Sequence, residues 1–246
     1  MTTPEAGGRL VDVSLEGEVA VVTLRRPEKL NAISVAMERD LRDALAGPEV
    51  GSSRAVVVTG GERVFSSGAD VTELAGRSPA SVMAYYRDSG GVYEAVADLP
   101  QPTVSAISGY CLGGGLELAL ATDFRVAAAD AIFGFPEVGS GIIPSSGGLL
   151  RLVRMVGTAR ARELVISRPR LDAPSAAGLG LLTEVVAAST SPLPRAMALA
   201  HQLAELPALA VELACRAIDA VSESSRGAAL LVERLAYAAL AGDHQP

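Results

Sequence analysis

Apolar and polar residues alternate over residues 11–15, and a β-rich apolar run covers 19–25, with Glu16, Gly17 and Glu18 between them. This predicts a β-hairpin that ends at Arg26 and Pro27. After Ser34 the period changes: Met37, Leu41 and Leu45 recur at helical spacing until Gly47 and Pro48. Ser34 suits the N-cap, because its hydroxyl can accept from a free amide of the first turn. Residues 55–59, Ala-Val-Val-Val-Thr, read as a buried strand closed by Gly60 and Gly61. Residues 64–68 suit a short strand or loop, and 70–74 are helix-prone. One longer helix is expected through Met83, Tyr86 and Tyr93 towards Leu99.

Residues 103–108 form another predicted strand, followed by Gly113, Gly114, Gly115 and a helix to about Ala121. Strands are expected at 124–128 and 131–135 around a turn at Asp130. Beyond Gly147 and Gly148 the pattern is read as almost entirely helical: 149–156, 158–166, 173–179, 193–205 and 209–242. Gly157, Pro169, Gly178 and Pro207 mark the joints. Strand–helix alternation followed by a helical tail predicts an α/β fold.

Composition narrows the class. With 246 residues, 49% of them hydrophobic and 20% charged, the chain can bury a full-sized core and is not disordered. A net charge of −7 argues against nucleic acid or an anionic membrane as the main partner. Lys29 is the only lysine. Cys111 and Cys215 give neither a disulfide framework nor metal-ligand spacing, so no metal is expected. No secretion signal and no apolar run of bilayer length is visible. The expectation is a cytoplasmic, reduced protein.

Three segments carry chemistry. Residues 65–74 contain a small-residue turn that presents the Ala69 amide. Gly113, Gly114 and Gly115 let backbone approach a ligand closely, and Glu117 follows in the first turn of a predicted helix whose leading N–H groups are unpaired. Residues 133–137 deliver a second carboxylate, Glu137, from a turn stiffened by Pro136. Taken alone, Glu117 also suits the favourable field of a helix N-terminus, and Asp70 suits a turn holder. Cys111 reads as a small buried residue. Neither His201 nor His244 has motif support, and Ser145 and Ser146 form no nucleophile elbow.

In unbroken order with residues 26–32, these segments resemble the enoyl-CoA hydratase/isomerase (crotonase) superfamily over roughly residues 11–186. The resemblance implies a spiral core of ββα units over residues 1–186. It also implies a helical, trimer-forming region over 187–246 that lacks the family's usual last helix. It places the amides of Ala69 and Gly114 in an oxyanion hole for a thioester oxygen. Glu117 and Glu137 fall where the family's hydratases carry the two glutamates that share a water. Lys29, Ala69, Asp70 and Val71 match the coenzyme A contacts. The implied partner is an acyl-CoA substrate, with no separate cofactor and with a homotrimer or homohexamer as the assembly. Hydration of a 2-enoyl-CoA is the leading reading; double-bond isomerisation, or acyl-CoA binding without turnover, is the alternative. Ser145, Ser146, Leu149 and Leu150, and residues 167–170, depart from common family patterns near the expected acyl pocket.

Overall fold

The computed structural model describes residues 8–74, 78–88 and 91–241. The expected hairpin is present as β1 (Val11–Glu16) and β2 (Val19–Leu24), paired antiparallel. Helix α1 (Val35–Leu45) follows, with Ser34 Oγ accepting from the Met37 amide at 3.2 Å, a cap worth about 1 kcal/mol. Next come α2 (Pro48–Ser52), β3 (Ala55–Thr59), α3 (Val71–Leu74), α4 (Pro79–Asp88) and α5 (Val92–Ala97). The single long helix expected towards Leu99 is thus two. Gly91 stands at the start of α5, and Ser89 and Gly90 lie outside the described residues.

β4 (Thr103–Ile107) runs into the short β5 (Tyr110–Leu112) and then α6 (Gly114–Leu120). β6 (Phe124–Ala128) likewise runs into β7 (Ile132–Gly134), which leads to a 3-10 turn over Glu137–Ser140. This strand–short strand–helix repeat is the expected ββα unit. Gly109 makes one corner possible: its φ is +56°, and a methyl there would meet the Arg63 carbonyl oxygen at 2.2 Å.

The remaining elements are α7 (Gly148–Arg162), β8 (Leu171–Asp172), α8 (Ala173–Gly178), β9 (Glu184–Val186), α9 (Leu193–Ala204), α10 (Ala208–Glu223) and α11 (Arg226–Ala241). Two expectations need correction. The segment beyond Gly148 is not wholly helical, because β8 and β9 add strands to the two sheets. Both are too short for periodicity to reveal; pairing with distant strands makes them extended. The helix expected over 209–242 is also broken, at Ser224, whose extended backbone separates α10 from α11. Gly157, with φ +74°, interrupts α7 at the joint the sequence marks.

The main sheet has the order β1-β2-β3-β4-β6-β9, parallel from β2 onward. Its inner strands are buried on both faces, as parallel sheets require. Ala20, Val22, Val56, Val58 and Ile107 face the larger core with Met37, Leu41 and Phe65. Val19, Val21, Ala55, Val57, Val104 and Ala106 face Ala196, Met197 and Ala200 of α9. The smaller sheet, β5-β7-β8, carries the segments that build the pocket.

Helix α6 is held at its C-terminal end. The buried Arg125 of β6 donates through Nη1 to the carbonyls of Ala119 and Thr122 and through Nε to Leu181. A cation on the last carbonyls complements the helix dipole and leaves the amide end of α6 facing the pocket.

Candidate active site

The first wall is residues 66–70. Ile33 N donates to the Gly68 carbonyl at 2.8 Å, and Asp70 N donates to the Ile33 carbonyl at 2.9 Å. With 68 and 70 tied to Ile33 on one side, the Ala69 N–H points to the other, towards Gly114. Gly68 permits the close approach. At φ +105° it would carry a methyl 2.9 Å from the Leu112 carbonyl oxygen and 3.4 Å from Gly114 N.

The second wall is the start of α6. Gly114 is its first residue, so its N–H has no intrahelical acceptor. A methyl built on Gly114 would lie 3.2 Å from Ala69 N. The two amides predicted for the oxyanion hole therefore open on one small volume, and among the described residues neither donates to a protein acceptor. Gly115 is needed for packing, since a methyl there would press on Ser66 Cβ at 2.7 Å.

Glu117 is fourth in α6 and only 4% exposed. Its Oε1 accepts from Ser146 N at 2.8 Å and from Gly148 N at 3.0 Å, at the start of α7. The carboxylate thus lies at the N-terminal ends of two helices. Burial pushes its pKa up; the amides of Ser146, Gly148 and Ser145, with the charge of Arg151, pull against that rise. Gly148 is as necessary as the donors, because a methyl there would meet Glu117 Cγ at 2.4 Å.

Glu137 opens the 3-10 turn directly after Pro136, as expected. Its carboxylate packs against the glycine turn: a methyl on Gly113 would come within 2.6 Å of Oε1. Oε2 is buried and, among the described residues, has no hydrogen-bond partner. Burial, followed by the nearby charge of Glu117, raises its pKa to about 7. The two glutamates sense each other across the pocket and occupy opposite kinds of site.

The loop over residues 26–33 braces the first wall. Asn31, fully buried with φ +50°, donates through Nδ2 to the carbonyls of Gly60, Val64 and Phe65 and accepts from Arg26 N. Arg26 pairs with Asp70 at 2.7 Å, and Asp70 also accepts from the Thr72 hydroxyl. Thr72 and Arg26 hold the Asp70 carboxyl below its ordinary value. Asp70 therefore keeps its turn in place. Arg25 pairs with Asp12 on the surface. Lys29 is exposed at the end of a 3-10 turn within this loop, and Val71 opens α3, its side chain lying outside the described residues. Cys111 is buried and burial pushes its thiol up, which suits a packing role. Among the described residues no cluster of three or more metal-ligating side chains occurs, and no helix is long and apolar enough to cross a membrane.

The amides of Ser146 and Gly148 and the phenol of Tyr93 belong to this pocket and are not legible in the sequence. The Tyr93 hydroxyl lies 3.1 Å from the methyl position on Gly114. Gly147 and Gly148 were the one available signal for the first pair.

Comparison with known proteins identifies the family. The family model described as enoyl-CoA hydratase/isomerase matches residues 14–241. The chain is 35% identical over 246 residues to the enoyl-CoA hydratase domain-containing protein 2, mitochondrial, of Bos taurus, covering 96% of this chain and 83% of the relative. The crystal structure of an enoyl-CoA hydratase from Thermoplasma volcanium GSS1 superposes with a TM-score of 0.89 at 33% identity, covering 96% and 94% of the two chains. An enoyl-CoA hydratase from Bacillus anthracis gives 0.86 at 35% identity, covering 93% and 89%.

Proposed function

Since this chain belongs to the enoyl-CoA hydratase/isomerase family, we propose that it adds water across the α,β-double bond of a 2-enoyl-CoA. The observation that carries this reading is the pairing of two unlike glutamates, the buried Glu117 and the half-buried Glu137, beside the glycine turn where the amides of Gly114 and Ala69 lie close together. The thioester oxygen accepts from the N–H groups of Ala69 and Gly114. Those dipoles are fixed in place before charge develops, so they stabilise the enolate more than the substrate.

Glu117, anchored on the amides of Ser146 and Gly148, works as the carboxylate that takes a proton from water. The water oxygen bonds to Cβ, the double-bond electrons move to the thioester oxygen, and an enolate forms. Glu137, with its pKa near 7, then delivers its proton to Cα as the enolate collapses. A later proton transfer from Glu117 to Glu137 resets the pair, and the sum is one water added. No resident cofactor takes part, because coenzyme A arrives as part of the substrate.

Lys29, exposed next to Leu30, whose carbonyl accepts from Ser67 N, joins Ala69, Asp70 and Val71 as the path for the nucleotide and pantetheine; Asp70 contributes through the turn it holds. The exposed apolar residues Ile218, Leu231, Leu235 and Tyr237 on α10 and α11 supply the contact for a trimer or paired trimer. Purified protein incubated with crotonyl-CoA and longer enoyl-CoAs tests the activity: loss of enoyl absorbance supports hydration, and no turnover of any of them contradicts it.

A further inference from the structure

One buried phenol is left over by the acid–base chemistry. Tyr93, on α5, is 2% exposed. Its neighbours are engaged: the Tyr85 hydroxyl donates to Glu38 Oε1, and the Tyr86 hydroxyl pairs with Ser145 Oγ. Among the described residues the Tyr93 hydroxyl makes no hydrogen bond, and its oxygen is not one of the sealed unpartnered atoms, so it reaches accessible space. A buried phenol normally finds one, so a group that visits the pocket is the natural candidate.

Its position says which group. The point occupied by a methyl on Gly114 is 3.2 Å from Ala69 N and 3.1 Å from the Tyr93 hydroxyl oxygen. By covalent geometry it is also about 2.5 Å from Gly114 N. The phenol therefore borders the same small volume into which both amides open.

We propose that the Tyr93 hydroxyl is a third hydrogen-bond donor to the thioester oxygen, beside the N–H groups of Ala69 and Gly114. The inference rests on the hydratase reading of the pocket and adds a catalytic residue to it. Burial, then the charges of Glu38 and Glu117, push the phenol pKa well above its ordinary value. The hydroxyl thus keeps its proton and stays a donor. A hydrogen bond to an oxygen gaining negative charge is roughly twice as strong as one to a neutral carbonyl. The phenol therefore holds the enolate more tightly than the substrate and acts on kcat.

The test compares the full-length protein with Tyr93→Phe, using crotonyl-CoA labelled at the thioester carbonyl. Bound-state infrared difference spectra read the C=O stretch, and steady-state hydration reads kcat and KM. The expected result is a higher stretching frequency in Tyr93→Phe, with kcat lower by roughly 10- to 100-fold and binding of free coenzyme A unchanged. Site-specific replacement of Tyr93 by 3,5-difluorotyrosine, a stronger donor, lowers the frequency below that of the wild type. An unchanged stretch with an altered KM would assign Tyr93 to acyl packing and overturn the proposal. Unchanged stretch and kcat together would overturn it as well. A wild-type protein that binds crotonyl-CoA but does not hydrate it would contradict the hydratase reading, while the stretch comparison would still decide the role of Tyr93.

Discussion

Glu117 and Glu137 face one pocket with the same side chain, and their surroundings differ. Glu117 is nearly fully buried, yet its Oε1 is met by two amides at 2.8 and 3.0 Å from the start of α7. Glu137 is less buried, but one of its oxygens is sealed without a partner and its pKa stands near 7. Burial alone therefore does not sort a base from an acid. What sorts them is whether fixed dipoles are aimed at the charged form. The pocket aims the amides of Ser146 and Gly148 at one oxygen of Glu117, whereas Glu137 has its own backbone amide and one oxygen sealed without a partner, which makes two roles from one residue type.

That contrast can be broken from either side. The largest effect is expected from Glu117→Gln, which keeps the shape and removes the proton acceptor: kcat for crotonyl-CoA hydration should fall about 10³-fold. A Glu117→Gln variant that kept a full rate of double-bond shift in an enoyl-CoA would instead favour proton transfer through Glu137 alone. Gly114→Ala comes next. Its methyl would stand 3.2 Å from Ala69 N, in the space meant for the thioester oxygen. A loss on the order of 10²-fold in kcat is expected, with the fold retained by circular dichroism.

The pH profile sharpens the contrast further. Because Glu137 must be protonated to deliver its proton, the hydration rate should fall about tenfold per pH unit above its pKa of about 7, and it should fall again in acid as Glu117 loses its charge. In Glu137→Gln the alkaline limb should vanish along with most of the activity.

The smallest effect concerns stability. In the folded state Glu137 titrates near 7, above the ordinary 4.5, so between these values the folded protein holds more protons than the unfolded chain. Stability attributable to this group is therefore highest below pH 4.5, declines as pH rises to 7, and stays at its lower level beyond. Glu137→Gln removes the penalty. Urea melts at pH 8 should show the variant more stable than the wild type by on the order of 1 kcal/mol, given that the side chain is partly exposed. At pH 4 the two should melt alike.

The same contrast shows how far the sequence could be read. Gly114 and Glu117 are three residues apart on one helix, and the glycine run announces both the close approach and the free amides. Hairpin β1–β2, strand β3 and the Ser34 cap are equally local, and the structure has them where the pattern puts them. The donors to Glu117 come from Ser146 and Gly148, 29 and 31 residues along the chain, and only the packing of α7 against α6 brings them in. Tyr93 reads as an ordinary helical apolar position; what singles it out is its distance to Gly114, which no periodicity encodes. Strand β9 is extended because β6 lies beside it, and its three residues carry too little pattern to predict that. The glutamates were legible as residues, but the difference between them was not.

The most direct test of the account is hydration of crotonyl-CoA in ¹⁸O-labelled water, with the product weighed by mass spectrometry. The account predicts one ¹⁸O in the new β-hydroxyl group, formed by the wild type and nearly abolished in Glu117→Gln. A product that carries no ¹⁸O, or a shifted double bond with no gain in mass, would contradict it.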